Sequence, residues 1–310
     1  MDRLKTILAA VDFSLCSSDA FRQAARLAAW NGAKLHSLHV VNVPAYRPVP
    51  HPFIPFDLPT QDDLVHDAYR RWEDFAPACE GKAKAEFRVA LGSPRGEILR
   101  AVEETKPDLL VMGATSVLDR KRGIGTTAAA CVRQAETKVL LVREEQTTPF
   151  KSVAACIDFS ATSHEALEQA ARVAAQDGAA LHVVHVYDNP WHGMPRSDIV
   201  DANMPDFDAR MKEAVAARLR EFCEPLAHEM NALKAHFHGV QHDEHWSGHG
   251  DGLVGFIHHQ GVDLAVLGVR SSWNARDFLW GSTAERVCRD AACSILTVRP
   301  AKGRSAEVPQ

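Results

Sequence analysis

Two aspartates stand where chemistry could begin. Asp12 and Asp158 each close a short apolar run, TILAAVD and SVAACID, and each is followed by Phe-Ser. A carboxylate at the end of a strand is an acceptor for sugar hydroxyls or for ring and amino N–H groups. Each half of the chain also carries a glycine-bearing turn, GATSVLDRKRGIGTT over residues 113–127 and GVRSSWNARDFLWGST over residues 268–283. Gly125 and Gly281 let backbone pass close to an anion, while Thr126, Thr127, Ser282 and Thr283 offer hydroxyls and the unused amides of a first helical turn. Arg120, Lys121 and Arg122 in one turn, and Arg270 and Arg276 in the other, carry charge suited to phosphate. Alone, either turn reads equally well as a strand-to-helix connection with a solvated charge run. Paired with the aspartates, it reads as a nucleotide site.

The pairing occurs twice because the chain is duplicated. Residues 6–43 recur without a gap as residues 152–189, so that Asp12, Phe13, Ser14, Gly32 and His39 fall on Asp158, Phe159, Ser160, Gly178 and His185. The register resumes where VMGATS (111–116) lies over VLGVRS (266–271), and again where residues 125–143 match 281–299. The charged, polar stretch EEQTTPFK separates the copies, giving two expected domains over residues 1–146 and 147–310. Each is large enough for its own core without disulfide or metal support.

The elements that would position these residues follow from the apolar pattern. In the first half, residues 4–11, 33–42, 83–91, 108–113 and 138–143 read as strands, and 17–31, 61–78, 94–105 and 126–135 as helices. Runs such as TILAAV, DLLVMG and VLLV are apolar at nearly every position, as in parallel strands covered on both faces. The expected fold is α/β, with two tandem doubly wound, Rossmann-like domains of five parallel strands each. Ser17 or Ser18 is the expected N-cap of the first helix and Asn31-Gly32 its C-terminal stop. Residues 43–60 carry six prolines and form an extended excursion, matched by a Pro-, Gly- and Asn-rich stretch at 188–205. In such a sheet, ligands bind beyond the carboxyl ends of the strands where the winding reverses. If the first and fourth strands are neighbours there, Asp12 meets Gly113, and Asp158 meets Gly268.

Composition excludes several classes. A formal net charge of −5 argues against a general binder of nucleic acid or anionic membranes. No apolar stretch is long enough to span a bilayer and the N-terminal residues lack a signal-peptide pattern, so the expected location is the cytoplasm. The seven cysteines contain no CxxC pair, and Cys16, Cys131, Cys156, Cys288 and Cys293 sit in apolar patterns as buried thiols.

This constellation resembles the universal stress protein family, specifically its tandem members. The resemblance covers the chain apart from the two irregular excursions and the tail after Arg299. In the family's nucleotide-binding branch the motif is G-x2-G-x9-G-[ST]. The second copy reads Gly268-x2-Ser271-x9-Gly281-Ser282, right in spacing with Ser at the second glycine; the first reads Gly113-x2-Ser116-x8-Gly125-Thr126, one residue shorter. The second copy is thus the closer match. The resemblance implies that Asp12 and Asp158 contact ribose or adenine and that Val40 and Val186 meet adenine through the backbone. It implies that Gly113, Ser116, Gly125 and Thr126, with Thr127 beside them, hold phosphates in one copy, and Gly268, Ser271, Gly281, Ser282 and Thr283 in the other. The implied ligand is ATP or another adenine nucleotide, with or without Mg²⁺. The implied role is a stress-response regulator with an unidentified protein partner, with domain pairing inside the chain and room for a homodimer.

Other residues invite chemistry and are read more plainly. Nine of sixteen histidines lie between His192 and His259, and His236 with His238, or His242 with His245, could share a face. Their spacing fits no zinc signature, so no metal site is assigned. His39 and His185 sit inside apolar strands as hydrogen-bonded sheet residues rather than bases. No G-x-S-x-G elbow and no P-loop occurs. Two alternatives stand beside nucleotide binding. One is a scaffold whose sites are degenerate, with Phe278, Leu279 and Trp280 filling the cleft; the other is a ligase-like enzyme using an adenine nucleotide.

Overall fold

The computed structural model describes residues 4–42, 59–78, 84–115, 123–188, 206–242, 247–269 and 281–299. They group into two compact units, Met1–Thr148 and Pro149–Gln310. In the first unit β1 (Thr6–Val11), α1 (Leu15–Asn31), β2 (Lys34–Asn42), α2 (Gln61–Ala78), β3 (Ala85–Gly92), α3 (Pro94–Thr105), β4 (Leu109–Gly113), α4 (Thr126–Gln134) and β5 (Lys138–Val142) alternate. The strands pair in parallel in the order β3-β2-β1-β4-β5. The second unit repeats this with β6 (Ser152–Cys156), α5 (Ala161–Asp177), β7 (Ala180–Tyr187), α6 (Phe207–Phe222), a 3₁₀ turn, α7 (Ala227–Ala232), β8 (His236–Gln241), α8 (His249–Gln260), β9 (Leu264–Gly268), α9 (Ser282–Asp290) and β10 (Ser294–Val298). Its parallel order is β8-β7-β6-β9-β10.

The expected pair of doubly wound parallel sheets is therefore present. The central strands are buried almost throughout: Ile7, Leu110 and Val111 in the first unit, and Val153, Leu264 and Val266 in the second, expose no surface. Burying each such side chain contributes about 1.5–3 kcal/mol, which drives the sheet between its helices. Cys16, Cys131, Cys156, Cys223, Cys288 and Cys293 are buried free thiols, and burial pushes Cys131 up to about 12. No helix among the described residues is long and apolar enough to cross a membrane.

A second duplicated aspartate registers the strand starts. Asp108 Oδ2 accepts the Lys5 and Thr6 amides at 2.7 and 2.9 Å, and Asp263 accepts those of Lys151 and Ser152 at 2.7 and 3.1 Å. These carboxylates tie the β1 and β6 starts to the turns before β4 and β9, leaving the opposite strand ends to Asp12 and Asp158.

The first helix begins earlier than its sequence suggests. Its N-cap is Ser14, whose Oγ accepts the Ser17 amide at 3.1 Å, with Gly32 in the left-handed C-cap at φ 64°. Ser17 and Ser18 lie inside the helix because the chain reverses one residue earlier, at Phe13. The second unit copies this: Ser160 caps α5 through the Ser163 amide, and Gly178 ends it.

Candidate functional site

The winding reverses between β1 and β4, and between β6 and β9. Ala10 pairs with Met112, and Cys156 with Leu267, so each strand-end aspartate lies beside the end of a glycine-terminated strand. At both places the chain makes an unusual turn. Phe13 and Phe159 each adopt φ 61°, a left-handed conformation costing a non-glycine residue about 1–2 kcal/mol. Local hydrogen bonds offset that cost. Asp12 Oδ1 accepts the Ser14 amide at 3.0 Å, and Asp158 Oδ1 accepts the Ser160 amide at 3.0 Å together with the Ser160 hydroxyl.

Aromatic packing fixes the same turn. The Phe13 ring lies 4.5 Å from the His39 ring, with the Arg71 guanidinium 4.5 Å above it; Phe159 lies 4.6 Å from His185, with Arg218 at 5.7 Å. His39 Nδ1 meets the Val11 carbonyl at 2.9 Å, and His185 Nδ1 meets that of Ile157 at 2.8 Å. A carbonyl only accepts, so Nδ1 carries the proton in both. Burial lowers both imidazole pKa values, against the backbone hydrogen bond, so neutral rings brace the turns at pH 7.

In the first unit these elements enclose a cavity of about 730 Å³. Of the residues expected there, Asp12, Val40, Gly113, Gly125, Thr126 and Thr127 all line it. Ser116 lies outside the described residues, as do Arg120, Lys121 and Arg122. The lining also takes Ser17, Asn42, Pro94, Ile98 and Thr115, which the sequence reading missed. Asn42 follows Val40 by two on one strand and was findable by the strand period; Pro94 and Ile98 come from α3, which no motif ties to Asp12.

At one end of the cavity the first turn of α4 is unusually open. Its N-cap, Gly125, has no side chain to accept from the turn, and the Gly125 amide itself donates to the Ala114 carbonyl at 2.8 Å. The amides of Thr126, Thr127 and Ala128 precede the first backbone-bonded one, Ala129, so the helix dipole favours an anion here.

The four motif glycines have two physical causes. A Cβ on Gly113 would lie 3.0 Å from Cys16 Sγ, and one on Gly268 2.9 Å from Thr162 Cγ2. Close approach of the α1 and α5 first turns accounts for those two. A Cβ on Gly125 would meet nothing nearer than 3.6 Å, and one on Gly281 no described atom within 4 Å; their φ values are −64° and −57°. Neither the fold nor the described neighbours require glycine at these two positions.

In the second unit, Asp158 and Gly268 end neighbouring strands, Val186 is buried near the end of β7, and Gly281, Ser282 and Thr283 open α9, again without a side-chain cap. Ser271, Arg270, Arg276 and Phe278–Leu279–Trp280 lie outside the described residues. Two positions that line the first-unit cavity change type here. Asn42 is matched by Asp188, and Pro94 by His249, whose Nε2 lies 3.0 Å from Asp188 Oδ1; His242 Nδ1 is 3.6 Å from the same oxygen. His245 lies outside the described residues, and among those described no group of three or more side chains is arranged to hold a metal ion.

The Universal stress protein family matches the chain twice, over residues 3–143 and 149–299. The chain belongs to the universal stress protein family. It is 26% identical over 157 residues to Universal stress protein A homolog 1 of Coxiella burnetii, a match spanning 48% of this chain and 96% of that protein. A universal stress protein from Archaeoglobus fulgidus has the same fold over 95% of this chain and 98% of its own, with a TM-score of 0.61 at 17% identity. A putative universal stress protein from Pseudomonas aeruginosa covers 96% of this chain and 94% of its own, with a TM-score of 0.63 at 15% identity. The two family matches make this a tandem universal stress protein.

Proposed function

We propose that this universal stress protein binds an adenine nucleotide in the first-unit cavity and acts as a cytoplasmic stress-response regulator, its occupancy changing contacts with protein partners. The observation that carries this is one cavity joining the Asp12 carboxylate to the uncapped first turn of α4. Asp12 keeps acceptor capacity beyond its bond to Ser14 and suits the ribose hydroxyls. Val40, Leu38 and Ile98 give an apolar wall for the base, and Gly125, Thr126 and Thr127 receive phosphate. A volume of about 730 Å³ falls within the range of small-molecule sites. A ligand passing against Gly125 supplies the reason for glycine that the fold does not.

Turnover is slow or absent. His39 lies close enough to feel the Asp12 charge, but its Nδ1 is committed to a carbonyl while burial lowers its basicity. Magnesium, where it accompanies ATP, is carried by the phosphates. The second unit offers the same aspartate and helix start, with Asp188 adding a carboxylate at the wall. That charge disfavours a polyanion, so the first unit is the tighter site, the reverse of the ranking from motif spacing.

Titration of the full-length protein with a fluorescent ATP analogue tests this. Asp12→Ala loses at least about tenfold in affinity, the worth of one hydrogen bond to a charged group. Equal affinity in Asp12→Ala and the unsubstituted chain removes the proposed site.

A further inference from the structure

The outer strand pairs of the two units are built from the same positions with opposite charge logic. In the first unit, His36 on β2 is the register partner of Glu86 on β3, and its Nδ1 lies 3.2 Å from Glu86 Oε2. In the second, the matching His182 on β7 is the register partner of His236 on β8, with His238 two residues along the same face. His182 and His236 stack with ring centroids 5.4 Å apart, and His182 Nδ1 lies 3.0 Å from His238 Nε2. Each strand pair is the outermost of its unit's order.

The histidine cluster has no carboxylate facing it among the described residues. From β6 the neighbour is Ala154, the register partner of His182. From α8 it is Phe256, whose ring centre is 4.9 Å from that of His238. The ionisable groups of α8 are paired elsewhere or exposed: His249 lies 3.0 Å from Asp188, Asp251 sits 2.6 Å from Arg286, and His258 and His259 are exposed. On the other face of β8, Arg220 of α6 lies over Phe237.

We propose that β7–β8 is an acid-release element: protonation of the His182–His236–His238 cluster parts β8 and the overlying α8 from β7, while the matching β2–β3 pair of the first unit stays closed. The N–H···N bond between His182 and His238 needs one neutral ring, and two protonated rings at that distance repel. In the first unit a protonated His36 instead meets a carboxylate.

The direction of the effect follows from linkage. Burial, then the neighbouring imidazoles, lower His182 below its ordinary value and His238 to about 4. A histidine whose folded pKa lies below its unfolded value holds the neutral, folded form above about pH 6.5, and its contribution is lost as pH falls from there toward 4.

Amide hydrogen exchange on the full-length chain at pH 7 and pH 4.5, corrected for intrinsic chemistry, tests the proposal with its own control. Protection over residues 236–241 falls at least about tenfold more than over residues 85–92, one pKa unit of linkage corresponding to a factor of ten. In His182→Gln/His238→Gln, which keeps amide donors and acceptors without proton uptake, that difference disappears. Should this variant fail to fold, imidazole proton shifts in the unsubstituted chain replace it: His182 and His238 titrate below the ordinary histidine value, in step with the loss of protection. Equal loss in both strands, unchanged protection over 236–241, or ordinary titration of the two rings overturns the proposal.

Discussion

The two strand-end turns differ in almost nothing, while the positions around them diverge at a few telling places. Both units keep a left-handed phenylalanine, an aspartate accepting the next serine amide, a serine cap and a histidine ring braced on a carbonyl. Around that shared frame Asn42 and Pro94 line the first-unit cavity, and Asp188 and His249 hold the matching positions of the second unit. Backbone reversal requires several residues at once, so a change in one is felt by all. A cavity-lining position carries no such backbone duty and is free to diverge.

The largest expected effect comes from filling the space that the frame keeps empty. Gly113→Val and Gly268→Val push a side chain into Cys16 and Thr162, at 3.0 and 2.9 Å from the first added carbon. Each destabilises its unit by about 1–3 kcal/mol, read by urea unfolding. Near-zero cost in one unit alone shows that the frames are not equivalent.

Loss of the helix cap is the next effect in size. Ser14→Ala and Ser160→Ala each remove the acceptor of a first-turn amide and cost about 1 kcal/mol, in the same unfolding experiment. Ser17→Ala leaves the Ser14 cap in place and loses instead the hydroxyl bonds of Ser17 to the Ser14 carbonyl and the Asp12 amide. Asp188→Asn is the smallest. Its contact with His249 joins side chains 61% and 41% exposed, so stability changes by under about 1 kcal/mol. On the proposed nucleotide reading its effect is on ligand, raising second-unit affinity toward that of the first.

Much of this was legible in the sequence. Apolar runs located the strands, because parallel strands buried on both faces carry no polar alternation, and the duplication doubled every signal. The start of α1 was misplaced because three serines, Ser14, Ser17 and Ser18, are equal as caps on paper. Only the left-handed turn at Phe13 selects the first, and a phenylalanine gives no sequence warning of positive φ. Asp12 and the Gly125–Thr126–Thr127 turn stood out because the duplication repeats them, and Val40 came with the family resemblance; all five line the cavity. Pro94, Ile98 and Thr115 were not found, since separate elements bring them to the cavity through the fold alone. The aspartates illustrate the limit of duplication as a guide. Asp108 and Asp263 are kept in both copies as faithfully as Asp12 and Asp158, yet they serve to register strand starts at the opposite end of the sheet.

The central claim is that the first-unit cavity holds an adenine nucleotide against Gly125. Native mass spectrometry of the full-length chain with ATP, beside Gly125→Val, tests it most directly. A Cβ at this position meets no described atom nearer than 3.6 Å, and melting without ligand reads whether the variant is folded. The account predicts that the tightest-bound nucleotide is lost in the variant while its melting temperature without ligand stays close to that of the unsubstituted chain. Undiminished nucleotide binding in a folded Gly125→Val chain contradicts it.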